Sequence, residues 1–166
     1  MKGRVHLAAG SHFAAAQREF HKHRNLISER LPWADVRQVG GTALAGALTK
    51  GDLDIQVRVP AEQFVEAVSE LRRIYTPWKL QVWNSEFATF FAPASSLPEE
   101  TGISVTVIGS RSDRAGAGVW ERLAAEPELL EAYNALKTQH VGGDWRRYEA
   151  AKSAFFAALL DDAESS

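Results

Sequence analysis

Cysteine is absent from this 166-residue chain. That excludes a disulfide framework, a thiolate metal site and a cysteine nucleophile. No run of about 18 consecutive apolar residues occurs, and the first residues contain no apolar stretch of the kind that opens a secretory signal. The expectation is therefore a cytoplasmic protein with no membrane partner. A large charge excess is also missing: the net charge of -2 argues against general coating of DNA or RNA. Neither GxGxxG nor a Walker A motif is present, and there is no internal repeat or low-complexity segment. What remains is 45% hydrophobic and 24% charged, the balance of an ordinary globular protein. The length suits one core and is short for two, so a single domain spanning 1–166 is expected.

The chemistry concentrates between Val36 and Pro60. A short apolar segment runs into Gly40-Gly41-Thr42, and a second one, Leu53 to Val59, carries Asp52 and Asp54 at its start. Side chains alternate faces along a strand, so Asp52 and Asp54 point one way while Leu53, Ile55, Val57 and Val59 point the other, towards the core. Two carboxylates projecting together make a poor core and a good site for a hard divalent cation such as Mg²⁺. Glycines let backbone approach a ligand closely, and their N–H groups can form an anion-binding nest. A phosphate cradle beside metal-binding carboxylates is what phosphoryl or nucleotidyl transfer requires. Taken singly, each element also has a bland reading, a turn or a solvated strand entry.

Along the chain, Met1 to Gly10 reads as a loose lead-in, and Ser11 as the cap of a helix to about Arg30 with Phe13, Phe20 and Ile27 buried. His21 and His23 diverge on a helix, so they and His12 read as solvated. Pro32 ends that helix. Ala43 to Leu48 suits a short helix, broken by Gly51. Pro60 ends the aspartate strand and opens a helix whose apolar face is Phe64, Val65, Val68, Leu71 and Ile74. Leu80 to Trp83 and Ala88 to Pro93 read as strands forming a hairpin around Asn84 to Glu86. Ile103 to Ile108 alternates apolar and hydroxyl residues, a strand with Ser104 and Thr106 on one face. Gly109 to Gly118 reads as a loop. Helices follow from Val119, from Pro127 to about His140 and, after Gly142-Gly143, from Trp145 to Leu159, with a frayed tail at 161–166. The order predicts an α+β fold, an α/β mixed sheet flanked by helices with a helical C-terminal third.

These residues resemble a known group. The Gly40-Gly41-Thr42 turn followed by Asp52-Leu53-Asp54 is similar to the signature of the DNA polymerase β-like nucleotidyltransferase superfamily. Within it the chain resembles the GrpB family, through Gly40-Gly41-Thr42, Gly46, Lys50 and Leu53-Asp54-Ile55, then Trp120 to Leu129, Tyr133-x-x-Leu136-Lys137 and Tyr148-x-x-x-Lys152-x-x-Phe155. The likeness covers Ser11 to Leu160. It implies a nucleotidyltransferase-like mixed sheet, with Asp52 and Asp54 as the catalytic, metal-holding pair. Gly41 stands where the family usually has serine, and Ser104 and Thr106 stand where it usually has a His-x-His pair. Both acids of the Asp-x-Asp pair are kept, which many members lack. Active members of the superfamily use a third carboxylate on a later strand; Glu86 is the nearest candidate and Asp113 a weaker one.

Two functions from different classes fit. One is Mg²⁺-dependent transfer of a nucleotidyl group from a nucleoside triphosphate to an unknown acceptor. Gly40, Gly41 and Thr42 would then bind the triphosphate, Ser104 and Thr106 would orient ligand or water, and Lys50, Lys137 and Lys152 would neutralise phosphate charge. The other is a nucleotide- or phosphate-binding regulatory module that has lost turnover, which the missing third acid favours. For Lys137 and Lys152 plain solvation is the competing reading.

Overall fold

The computed structural model describes residues 11–165. The expected lead-in before residue 11, the capping side chain of Ser11 and the side chain of His12 lie outside the described residues. The fold is α+β. Helix α1 (Ser11–Arg30) leads into strand β1 (Asp35–Val39), and β2 (Leu53–Val59) follows after the glycine turn. Helix α2 (Phe64–Leu71), the two-residue strand β3 (Thr76–Pro77), β4 (Phe87–Phe91) and β5 (Thr101–Val107) complete the first part. A short turn of helix α3 (Arg111–Asp113) passes through a π-helical turn, Arg114–Gly118, into α4 (Val119–Ala125). Helices α5 (Pro127–His140) and α6 (Trp145–Glu164) end the chain.

The sheet order is β1-β2-β5-β4-β3, with only β2 and β5 parallel. Its two faces differ because β2 and β5 alternate. Leu53, Ile55, Val57 and Val59 of β2, with Ile103, Val105 and Val107 of β5, pack against Phe20 and Ile27 of α1, Leu31 just after it, and Phe64, Ala67 and Leu71 of α2. Burying each such large aliphatic side chain contributes about 1.5–3 kcal/mol, so this register is strongly held. The opposite face carries Asp54, Gln56 and Arg58 of β2 and Ser104 and Thr106 of β5, and it looks towards the C-terminal helices. Those helices have their own core, in which Tyr133 meets Trp120 at 5.6 Å and Phe156 at 5.3 Å between ring centres. A polar sheet face opposite an independently packed set of helices leaves a cleft between them.

Several expected elements differ. Leu80–Val82 forms a 3-10 turn instead of a strand, because Lys79 adopts a left-handed conformation (φ 47°) and turns the chain. The edge strand is Thr76–Pro77 instead. The expected hairpin is therefore not formed: only its turn remains, closed by an isolated bridge in which the Asn84 N–H donates to Phe87 O at 3.0 Å. Residues 43–48 form no helix beyond the single 3-10 turn Gly41–Ala43. Val65 is exposed, and Ala67 takes its place on the buried face of α2. The loop expected over 109–118 is helical from Arg111, since Ser110 accepts a bond from the Asp113 N–H and caps it. Helix α6 continues through Glu164, past the start of the expected tail. His23 is buried: its Nδ1 lies 2.8 Å from the Tyr75 hydroxyl and its Nε2 3.1 Å from Glu19.

Candidate active site

The cleft measures about 1320 Å³. Nine of the ten site residues expected from sequence line it: Gly40, Gly41, Lys50, Asp52, Asp54, Ser104, Thr106, Lys137 and Lys152. Thr42 does not. It is buried, its hydroxyl donates to the Asp52 carbonyl at 3.0 Å, and its own carbonyl accepts from Gln38 Nε2 at 2.9 Å. Thr42 therefore ties the glycine turn to the aspartate strand rather than facing a ligand.

Contact calls for glycine at both positions of the turn, and at Gly40 the backbone angle does so too. Gly40 has φ +80°, and a Cβ there would run into the Asp54 carboxylate. A Cβ on Gly41 would come within 2.9 Å of Thr49 Cβ and 3.3 Å of Lys137 Nζ. The turn is thus pressed against the carboxylate on one side and a lysine on the other.

Asp52 sits immediately before β2 and Asp54 within it, both opening on the cleft. Burial, and next the nearby charge of Asp52, push the Asp54 pKa up to about 7 against the opposing pull of Lys152, Lys50 and Lys79. A cation beside the pair would relieve that repulsion. Lys50 Nζ lies 3.6 Å from Asp52 Oδ2. Burial works against its charge, but Asp52, Glu100, Glu99 and Asp54 outweigh that and raise its pKa. Lys137 is buried on α5, with its ammonium 4.1 Å from the centre of the Tyr133 ring and hydrogen-bonded to the Leu48 carbonyl. Burial, then Lys152, lower its pKa to about 8, only partly offset by Asp52. Its burial sets aside the reading of Lys137 as a simply solvated residue. Lys152 remains half-exposed, 3.9 Å from Glu149.

Ser104 faces the cleft, whereas Thr106 is buried in a network. Gln56 Nε2 donates to Thr106 Oγ1 at 2.9 Å and to Asp113 Oδ1 at 3.0 Å, while Gln56 Oε1 accepts from the Ala117 N–H at 2.7 Å. Arg58 grips both Asp113 oxygens, at 2.6 Å and 2.9 Å, and the Gly109 N–H donates to Asp113 at 2.9 Å. These bonds hold the Asp113 pKa down despite burial. Asp113 is thus committed to a structural pair and does not serve as a third acid of the site. Nor does Glu86. Its carbonyl accepts from Val107, whereas Asp54 pairs with Gly102 at the other end of β5. Five residues of strand separate the two levels, about 17 Å.

The acid missing from the sequence reading is Glu100. Leu53 pairs with Thr101, so Asp52 and Glu100 stand side by side one step earlier, and both line the cleft. The available signal was parity: Glu100, Gly102, Ser104 and Thr106 alternate onto one face. Among the described residues, no three acid or histidine side chains converge closely enough to hold a metal as they stand. Asp52 and Asp54 still offer hard oxygen donors of the kind Mg²⁺ takes, with the rest of its shell left to water and phosphate. Aromatic side chains, among them Trp78, Trp120, Trp145 and Tyr148, wall the remainder of the cleft.

This sheet, with its glycine turn and strand-borne aspartates, is nucleotidyltransferase-like. Cid1, solved with the UTP analogue UMPNPP, superposes with a TM-score of 0.51 at 13% identity over 74% of this chain and 38% of Cid1. The family model for GrpB protein matches residues 11–162, and the chain belongs to the GrpB family. The crystal structure of conserved protein GrpB from Enterococcus faecalis superposes with a TM-score of 0.65 at 17% identity, covering 90% of this chain and 92% of that one. A UPF0157 protein of Vibrio cholerae is 28% identical over 160 residues, 93% of this chain and 81% of its own length.

Proposed function

We propose that the cleft binds a nucleoside triphosphate together with Mg²⁺ and transfers its nucleotidyl group to an acceptor. The observation that carries this reading is the packing of the Gly40 turn directly against the Asp54 carboxylate, at the floor of a lysine-bearing cleft. Asp52 and Asp54 would hold the metal, which supplies charge neutralisation for the phosphates. The Gly40-Gly41 backbone and Lys50, Lys137 and Lys152 would seat the phosphate chain. The acceptor forms a bond to the α-phosphorus, the bond to the bridging oxygen breaks, and pyrophosphate leaves with the electron pair. That Cid1 has been solved with a UTP analogue supports the nucleotide assignment by likeness of fold.

A second reading, a nucleotide-binding module without turnover, is favoured by one observation. The cleft face of β5 presents Gly102, Ser104 and Thr106, none of them an acid. Thermal stability in the presence of Mg²⁺ and each of several triphosphates tests both. A joint rise in Tm is expected, by mass action on the folded state, and Asp54→Asn should abolish it. Incorporation of labelled nucleotide into product then selects the transferase, and a shift without incorporation selects the module. No shift with any nucleotide, with or without metal, refutes both.

A further inference from the structure

The carboxylates of the cleft floor already have a cation beside them, and the chain supplies it. Lys50 Nζ is 3.6 Å from Asp52 Oδ2, and Glu100 is the neighbour of Asp52 across the β2–β5 pair, with the Leu53 N–H donating to the Glu100 carbonyl at 3.0 Å. Lys50 thus stands at the mouth of a group formed by Asp52, Asp54, Glu99 and Glu100, all of which line the cleft. Its side chain is 57% exposed and makes no other ion pair among the described residues. It precedes Gly51, which has φ +97° and leaves the backbone on that side free of Cβ constraints. A lysine is a compact charge on a flexible four-carbon stem, so it can exchange one anion for another at little conformational cost.

We propose that the Lys50 ammonium stands in for the divalent cation at the Asp52 and Asp54 pair, so that a metal enters only as Lys50 is drawn away onto the incoming phosphate. This rests on the reading of Asp52 and Asp54 as the metal-binding pair and adds a rule of order to it. A divalent ion arriving alone meets a like charge at Asp52. Arriving with a triphosphate, it meets carboxylates that the ammonium has left. Metal and nucleotide bind as a pair, and Lys50 couples them.

The test measures Mn²⁺ binding to the full chain without nucleotide, by electron paramagnetic resonance of the free ion. Lys50→Gln, at an exposed position, should bind Mn²⁺ about tenfold more tightly than the wild type, the removed repulsion being that of an ammonium on a divalent ion at near-contact distance. Adding Asp54→Asn to Lys50→Gln should abolish binding. With a non-hydrolysable triphosphate present, Lys50→Gln should bind the nucleotide more weakly than the wild type. Equal Mn²⁺ affinity in the wild type and Lys50→Gln, lost on Asp54→Asn, overturns this inference while leaving the metal-site reading standing. Tightening in Lys50→Gln that survives Asp54→Asn overturns it as well, because the metal then lies elsewhere. Binding of Mn²⁺ to neither protein overturns both.

Discussion

Replacing Asp113 with asparagine should cost the fold about 3 kcal/mol near neutral pH. Breaking a buried pair by removing one charge costs about 3–5 kcal/mol, because the partner is left uncompensated. The low end applies here, since Arg58 also donates to Asp35 Oδ2 at 2.8 Å and its side chain keeps 17% exposure. The change nevertheless removes the two-point grip of Arg58 and weakens the acceptors used by Gly109 and Gln56. For a chain of this length each kcal/mol moves Tm by about 2–4 °C, so a fall of about 6–12 °C is expected by calorimetry. The pH dependence separates this from a packing defect. The folded-state pKa of Asp113 lies below its ordinary value, so between the two the unfolded chain carries the extra proton and stability rises with pH. The contribution is therefore complete above the ordinary carboxylate range and is lost as pH falls through the lowered folded value. Wild type and variant should converge under acid. A variant as stable as the wild type at pH 7, or a gap that persists unchanged into strong acid, would refute the argument.

Two further outcomes follow from the site. Gly40→Ala places a side chain at φ +80° and into the Asp54 carboxylate, so it should lower Tm and remove the joint Mg²⁺ and triphosphate shift; that glycine-only backbone conformation (φ 80°, ψ −178°) alone costs about 1–3 kcal/mol. Lys137→Met should stabilise the ligand-free protein at pH 7 by about 1–2 kcal/mol, less than the full pKa shift because the Leu48 carbonyl loses its donor. The sign comes from Lys137 having a folded pKa of about 8, below the ordinary lysine value. Between these the unfolded chain binds the extra proton, so wild-type stability recovers as pH rises from about 8, and the gap read by urea titration should close at higher pH.

Much of the sheet could be read from local pattern. The alternation from Leu53 to Val59 selects a strand with one buried face, and two residues of spacing put Asp52 and Asp54 together on the other. The turn at Gly40 was legible because few residues but glycine tolerate its backbone angle. Helix ends at Pro32, Pro127 and Gly142 follow from which residues can continue a helix. Where the reading failed, the deciding contact was distant in the chain. Leu80-Gln-Val-Trp has the composition of a strand, but after Lys79 turns left-handed the segment has no strand partner, and Leu80 and Val82 stay exposed. His23 looked solvated by its spacing from His21, yet Tyr75 and the buried Glu19 enclose it.

The sequence by itself determined the class of fold and the presence of a carboxylate pair beside a glycine turn, because alternation, glycine angles and helix stops act within a few residues. Tertiary structure alone decided how those parts meet. The pairing of β2 with β5, from segments about fifty residues apart, put Glu100 beside Asp52 and committed Asp113 to Arg58. The docking of α5 brought Lys137 to the glycine turn and buried its charge. Such neighbours are set by the packing of whole faces, and no local pattern records which residue will stand across from which.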